Sequence, residues 1–215
     1  MKKFILLLLL CSWSADAAIK KSQERSFSDQ SSWMLNSYLA LAEGDPSRLI
    51  QLAREQFSPE ALKRAKQERS LSFAWQDRMA ILGGLSQLFN PEGRFKVSRS
   101  DLKIYRKEAR GLIEQCLRKD TSLLVRDGAV ETIRRIIRMR PSDSKIWKRA
   151  LESAFMDRQN IIDGEGLFIR ETLLNAIREA NLPLSMRIRR SAEMDQNPKV
   201  KRLLRLWKTR TFDTF

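Results

Sequence analysis

The chain has 215 residues, with 41 Lys and Arg against 26 Asp and Glu, so its formal net charge is +15; it contains no histidine. A composition that is 42% hydrophobic and 31% charged is typical of a folded protein rather than a disordered tail. The missing histidine excludes Ser-His-Asp and Cys-His nucleophiles, histidine-ligated zinc and imidazole general bases. We therefore expect no metal, no other cofactor and no enzyme of those classes.

The first 17 residues are typical of a signal peptide. Lys2 and Lys3 precede the apolar run Phe4–Leu10, and Ala15-Asp16-Ala17 supplies the small-x-small pattern that a signal peptidase cleaves. The apolar run is shorter than the roughly 20 residues that span a membrane. We therefore expect export, either to the periplasm or out of the cell. A lipoprotein anchored through Cys11 is less favoured, because a leucine rather than a small residue precedes that cysteine.

Cleavage after residue 17 changes the charge and the cysteine content. It removes two lysines and one aspartate and leaves a charge of +14, with Cys116 as the one remaining cysteine. An intramolecular disulfide is then excluded. Because Cys116 lies on an apolar stripe with Leu112, we expect its side chain to be buried.

The rest of the chain predicts helices throughout. After residue 17 there are 24 Leu and 14 Ile against 4 Val, and no stretch alternates apolar and polar residues as a strand does. Gly44 can close a first helix. A cap residue stands before a proline at Asp45-Pro46, Ser58-Pro59 and Asn197-Pro198, which indicates helix starts. We interpret Gly83-Gly84 as a break or a cap.

These signals, with apolar side chains at three- and four-residue intervals, predict ten helices. Their ranges are 29–43, 46–57, 59–70, 73–88, 101–118, 122–139, 143–156, 166–180, 184–194 and 198–209. Residues 18–28 are polar and serine-rich, so we expect a flexible lead-in there and a single helical-repeat domain over 29–215. The loop 89–100 is the place where a sub-boundary would fall.

A spacing recurs in the second half of the chain. An aspartate stands five or six residues before an aliphatic–basic pair in three segments: Asp120 before Val125-Arg126, Asp163 before Ile169-Arg170, and Asp195 before Val200-Lys201. The pattern resembles the HEAT-repeat family, whose units are helical hairpins with an aspartate in the turn and a Val-Arg pair opening the second helix. The resemblance is clearest over 119–207.

The resemblance implies an all-α fold of stacked helical hairpins, an α-solenoid in which each hairpin buries its face against its neighbours. In that family the arginine ladders with the turn aspartate of an adjacent unit. This role falls to Arg126, Arg170 and Lys201 if the resemblance holds. An irregular helical bundle is the alternative architecture.

The positive charge is weighted towards the second half of the chain, with a balance of +5 over residues 18–116 and +9 over 117–215. Arginine dominates, and its planar guanidinium group pairs bidentately with carboxylates and phosphates. The candidate binding residues are Arg134, Arg135, Arg138, Arg140, Lys148, Arg149, Arg187, Arg189, Arg190, Lys201, Arg202 and Arg205. Each cluster alone is also typical of the solvated face of an amphipathic helix, paired with acids such as Glu131 or Glu152.

We therefore expect an exported, non-catalytic binding or scaffold protein that presents a basic helical-repeat surface to an acidic protein or an anionic envelope component. The alternative is a nucleic-acid-binding protein or a HEAT-like DNA glycosylase, a class that needs neither histidine nor a metal. Trp75, Trp147 and Trp207 with Asp143 resemble the side chains of such a site. No motif assigns catalytic positions, however, and export disfavours nucleic acid as the partner.

Overall fold

The computed structural model describes residues 40–210, apart from 42, 68–73, 94, 163, 181 and 182. In this part of the chain the fold is all-α, with ten α-helices, one short 3-10 helix and no strand. The predicted signal peptide, the lead-in and most of the predicted helix over 29–43 lie outside the described residues. The helical class expected from the sequence is confirmed for the part that is described.

The helices are α1 (Pro46–Gln56), α2 (Pro59–Gln67), α3 (Ala74–Gln87), α4 (Arg99–Lys119), α5 (Leu123–Met139), α6 (Ser144–Phe155), α7 (Gln159–Ile162), α8 (Gly164–Glu179), α9 (Met186–Glu193) and α10 (Pro198–Arg210). The 3-10 helix Pro141–Asp143 lies between α5 and α6. Each helix predicted from residue 46 onward corresponds to one of these, with ends that agree to within three residues where the structure describes both. Residues 68–70, the predicted end of the helix 59–70, lie outside the described residues. Helix α7 was not predicted, because four residues are too few to show a periodic apolar stripe.

Local capping explains why α1 begins where it does. Oδ1 of Asp45 accepts hydrogen bonds from the backbone N–H groups of Ser47 at 2.9 Å and Arg48 at 3.2 Å. Gly44 has a φ of 68°, and its N–H donates to the carbonyl of Leu41 at 3.2 Å. A left-handed residue followed by an N-cap ends one helical segment and starts the next, as the Gly44-Asp45-Pro46 sequence predicts.

Five helices lie side by side in chain order and form what we call the central row. In this row α1 packs on α3, α3 on α5, α5 on α8, and α8 on α10. The flanking helices α4, α6 and α9 pack on α5, α8 and α10, respectively. Large side chains such as Phe57, Phe89, Trp147 and Phe155 are buried in this body. Each contributes roughly 1.5–3 kcal/mol through burial of apolar surface.

Two glycines mark close approaches between helices of the central row. Gly83 and Gly84 lie inside α3, so the break expected there is wrong. A Cβ added at Gly84 would lie 2.9 Å from Cδ1 of Leu49 in α1. A Cβ added at Gly128 in α5 would overlap Sδ of Met79 in α3. Contact between helices, rather than a chain break, therefore accounts for glycine at 84 and 128.

The segment between α3 and α4 is tied to the helical body. The backbone N–H of Lys96 donates to the carbonyl of Gly44 at 2.9 Å, and Nε of Arg106 donates to the carbonyl of Leu88 at 2.6 Å. Phe89 is fully buried. The sub-boundary predicted in this segment stays a prediction. Among the described helices, none has both the length and the apolar character needed to cross a membrane.

Candidate anion-binding surface

A buried ion pair joins α3 to the junction between α4 and α5. Nε of Arg78 lies 2.8 Å from Oδ2 of Asp120, and Nη2 of Arg78 lies 3.1 Å from Oδ1. Oδ1 also accepts the backbone N–H of Ser122 at 2.8 Å, so one carboxylate holds both the turn and the arginine. Burial raises the pKa of Asp120, and the charge of Arg78 opposes that rise.

A similar arrangement joins α8 to the junction between α9 and α10. Nε of Arg170 lies 2.7 Å from Oδ2 of Asp195, and Nη2 donates to Oγ of Ser191 at 3.0 Å. Oδ1 of Asp195 accepts the backbone N–H of Asn197 at 2.8 Å. The guanidinium group also lies over the ring of Phe155, 4.0 Å from its centroid. Burial lowers the pKa of Arg170, and Asp195 opposes that change.

Between these two pairs, Arg126 of α5 contacts an asparagine. Nη1 of Arg126 donates to Oδ1 of Asn160 at 2.6 Å, and Nδ2 of Asn160 donates to the carbonyl of Ala154 at 2.8 Å. Arg126 is 2% exposed and Asn160 is fully buried. The repeat spacing predicts Asp163 at this turn, but Asp163 lies outside the described residues. We call Arg78, Arg126 and Arg170, with these partners, the buried arginine series.

The repeat residues predicted from the sequence differ in their burial. Val125, Ile169 and Val200 are all fully buried. Lys201 is exposed, so it does not join the buried arginine series as the resemblance implies. Arg78 belongs to the buried arginine series, although the repeat pattern in the sequence does not extend to it. It falls on an apolar stripe with Ile81, which is the signal in the sequence by which it could have been found.

Two of the arginines predicted to bind a partner are paired within the protein. Nε of Arg134 in α5 lies 2.9 Å from Oε2 of Glu179 in α8, and Arg134 also contacts Glu131. Nη2 of Arg138 donates to the same Glu179 oxygen at 3.1 Å. Burial alone would raise the pKa of Glu179, but the hydrogen bonds from these arginines outweigh it and lower that pKa. These contacts link α5 to α8.

Two further candidates are also paired. Nε of Arg140 lies 3.3 Å from Oδ2 of Asp143, and Nζ of Lys148 lies 3.6 Å from Oε1 of Glu152. The others make no ion pair with any residue that the structure describes, and we call them the unpaired cations: Arg135 on α5, Arg149 on α6, Arg187, Arg189 and Arg190 on α9, and Lys201, Arg202 and Arg205 on α10. All of them except the half-buried Arg189 are exposed. Six of these eight unpaired cations are on α9 and α10.

A cleft of about 430 Å³ lies between the end of α4, the second half of α6 and the start of α9. Its lining residues are Arg118, Arg149, Glu152, Ser153, Met156, Asp157, Ser185, Arg187 and Ile188. Arginines from three different helices thus line one concave site. The cleft joins residues far apart in the sequence, and Arg118 was not among the candidates predicted from the sequence.

Both acidic side chains of the cleft already have partners. Oε1 of Glu152 accepts the backbone N–H of Ser185 at 3.1 Å. Oδ2 of Asp157 lies 3.6 Å from Nε of Arg118. The other two arginines of the cleft belong to the unpaired cations. An incoming anion therefore finds two guanidinium groups that no acid of the described chain neutralises.

Other chemically active side chains give no second site. The described residues include no group of three or more acidic or cysteine side chains placed to hold a metal ion. Cys116 is buried, and burial raises the pKa of its thiol, which makes it a poor nucleophile. Trp147 is fully buried with its ring edge-to-face against Phe89, and Trp75 and Trp207 pack against the core. Trp147 is therefore not available to stack on a nucleobase.

Comparison of the chain with protein-family models, with curated proteins and with solved structures finds no match in any of the three. The resemblance to the HEAT-repeat family stays a prediction that rests on the residues quoted for it. The side chains on the surface therefore provide the evidence for the function.

Proposed function

We propose that the protein is an exported, non-catalytic binding protein that presents a basic surface to an acidic protein or an anionic envelope component. The observation that carries this proposal is the set of unpaired cations on α6, α9 and α10. The paired arginines of α5 have their charge compensated by Glu131 and Glu179, whereas the unpaired cations remain open to a partner. A charge of +14 after cleavage exceeds what solubility requires of a small domain.

The architecture that supports this function is a HEAT-like α-solenoid. Two observations favour it over an irregular bundle. The helices of the central row contact one another in chain order, with flanking helices packed on them. In addition, each arginine of the buried series extends from a central-row helix to the turn of the hairpin that follows. An elongated stack of this kind exposes long helix faces, on which charges from successive units form one surface.

The choice of an acidic partner over a nucleic acid follows from the predicted export and from the tryptophans. Residues 1–17 direct the chain away from the compartment where nucleic acid is repaired. Trp147, which a glycosylase-like site would use to hold a base, lies in the core. Asp143 is paired with Arg140. No observation on the described residues favours the glycosylase alternative over a binding protein.

The proposal is tested by capture of envelope components on the immobilised protein at about 50 mM and about 500 mM salt, since screening weakens exposed ion pairs. We expect acidic components to bind at the lower concentration and to elute at the higher one. A variant with Arg190→Gln, Arg202→Gln and Arg205→Gln should lose most of this binding.

The matched control carries Lys63→Gln, Lys96→Gln and Lys103→Gln, which remove the same charge from exposed positions elsewhere. This control should bind as the wild type does. Absence of any salt-sensitive ligand, or equal loss in the two variants, would contradict the proposal that α9 and α10 form the binding surface.

A further inference from the structure

The cleft between α4, α6 and α9 brings together two exposed arginines from separate helices. Arg149 enters it from α6 and Arg187 from α9, and neither makes an ion pair within the described part of the chain. Arg118 adds a third guanidinium group from the end of α4. The planar fork of arginine matches the two oxygens of a carboxylate, and convergence of several forks gives such a site geometric specificity.

The two acids of the cleft limit the charge of the ligand. Glu152 is engaged by the N–H of Ser185 and lies 3.6 Å from Nζ of Lys148. Asp157 accepts the backbone N–H of Gln159 at 3.0 Å through Oδ1 and faces Arg118 through Oδ2. Lys148 offsets Glu152 and Arg118 offsets Asp157, so the positive charges of Arg149 and Arg187 remain without an acidic partner in the described chain. The two guanidinium groups suit the two oxygens of a carboxylate, and the neighbouring Glu152 and Asp157 disfavour the extra negative charge of a phosphate.

Exposed apolar side chains stand close in sequence to these arginines on the same helices. Ile146 precedes Arg149 by three residues on α6 and is 41% exposed, while Met186 adjoins Arg187 on α9 and is 65% exposed. Met156 lines the cleft itself. A peptide longer than the cleft can therefore reach exposed apolar side chains on α6 and α9. Methionine adapts to varied apolar partners, which suits it to such a contact.

Resting on the proposed function, we infer that this cleft binds an acidic peptide segment of a partner protein, with a Glu or Asp carboxylate held by Arg149 and Arg187 and neighbouring apolar side chains of the segment packed on Ile146 and Met186. The site recognises the carboxylate together with its apolar flanks. The remaining unpaired cations attract acidic partners over a longer range and without this selectivity.

Fluorescence anisotropy tests the inference with a labelled peptide in which Glu alternates with Leu and Ser. Three comparison peptides replace Glu by Gln, Leu by Ser, or Glu by phosphoserine. We expect the Glu/Leu peptide to bind more tightly than all three. Arg149→Gln with Arg187→Gln should weaken its binding by about tenfold or more, because each lost charged hydrogen bond costs affinity.

The matched control is Lys145→Gln with Arg158→Gln, which removes the same charge from exposed positions outside the cleft and outside the proposed binding surface. It should change the affinity by less than about twofold. Arg149→Lys with Arg187→Lys should lie between the wild type and the glutamine variant, because lysine keeps the charge and loses the fork. All three variants change exposed side chains, and an unfolding midpoint equal to that of the wild type verifies that they fold.

The remaining outcomes separate the cleft from the wider surface. Equal weakening of peptide binding by the two glutamine variants would overturn the inference about the cleft and leave the proposed function standing. Tighter binding of the Gln-, Ser- or phosphoserine-substituted peptide would have the same consequence. Binding of poly-L-glutamate without binding of the Glu/Leu peptide has the same meaning. If neither probe binds at low salt, the proposed function fails, and the cleft fails with it.

Discussion

At the scale of single residues, Asp77 of α3 carries a charge that the fold does not favour. Its side chain lies in a site where the residue is 7% exposed, and its Oδ1 has no hydrogen-bond partner. Burial raises the pKa of Asp77 from 3.8 to about 6, although Arg78 opposes that rise. Between these two pKa values the folded state binds more protons than the unfolded state, so the contribution of Asp77 to stability falls as the pH rises.

Asp77→Asn should therefore stabilise the protein at pH 7 by roughly 2–3 kcal/mol, because it removes a buried charge. At a pH of about 2.5 the aspartate is almost fully protonated in both states, so the substitution should change the free energy of unfolding little. Urea unfolding at several pH values gives the difference directly. Glu92→Gln, at an exposed position, is the control and should show no such pH dependence. A stabilisation of the same size at every pH would contradict this account.

The pair of Arg78 and Asp120 should behave as a coupled unit. Asp120→Asn keeps an acceptor for the Ser122 N–H but leaves a buried guanidinium group without its counter-charge, which costs about 3–5 kcal/mol. Arg78→Met should also destabilise the protein, because it leaves a buried carboxylate. The double variant should cost clearly less than the sum, since two buried charges are removed together. Urea unfolding of the four proteins closes the cycle.

An exposed ion pair serves as the comparison for this cycle. Nη1 of Arg48 lies 2.9 Å from Oε2 of Glu43, whose side chain is 52% exposed. Glu43→Gln should cost less than about 1 kcal/mol, because water screens the pair. Additive costs for Arg78→Met and Asp120→Asn would show that the two side chains do not act together.

At the scale of the helices, the contact between α3 and α5 depends on the small side chain at Gly128. Gly128→Ala should not gain the helix propensity that alanine normally brings, since the new methyl group displaces Met79. Met79→Ala should relieve that conflict, so the two substitutions should couple favourably. Gly111→Ala in α4 is the control, because nothing lies within 4 Å of its added Cβ. It should stabilise the protein by about 1 kcal/mol. Equal gains at 111 and 128 in thermal or urea unfolding would contradict the close approach.

The helices were predictable where the signals for them are local. The start of α1 is specified by Asp45 and Pro46 together with the backbone N–H groups that Asp45 caps, all within residues 45–48. Gly44 ends the preceding segment. The break predicted at Gly84 is wrong, because glycine occurs both at helix ends and at close contacts inside helices. Leu49, the residue that makes the contact, is remote in sequence and therefore gives no local signal. Likewise, Asn160 is not distinguished from other polar residues until the fold places it against Arg126.

The candidate site shows the same division between local and remote information. The sequence identifies Arg149 and Arg187 as basic residues on predicted helices, because composition and helical spacing are enough for that. The sequence does not show that Glu179 forms ion pairs with Arg134 and Arg138, because these partners are more than 40 positions apart. Sorting the paired arginines from the unpaired ones therefore requires the tertiary contacts.

At the scale of the whole molecule, three of the sets of arginines described above have different roles. The buried arginine series ties successive helices together, and Arg134 and Arg138 link α5 to α8. The unpaired cations face solvent. The first two sets have their charge or hydrogen-bonding capacity used internally. Of these three sets, the third is the one open to a partner. The net charge of the chain thus overstates the positive charge that these arginines offer to a partner, and the unpaired cations lie mainly on α9 and α10.

Protection of arginines from phenylglyoxal, measured by mass spectrometry with and without poly-L-glutamate, tests this division most directly. Without the polyanion, Arg149, Arg187, Arg190, Arg202 and Arg205 should react readily, and the buried series should not. Addition of poly-L-glutamate at low salt should protect those five, with the reactivity of Arg134 and Arg138 little changed. Protection confined to Arg134 and Arg138, or none at all, would contradict a binding surface on α6, α9 and α10.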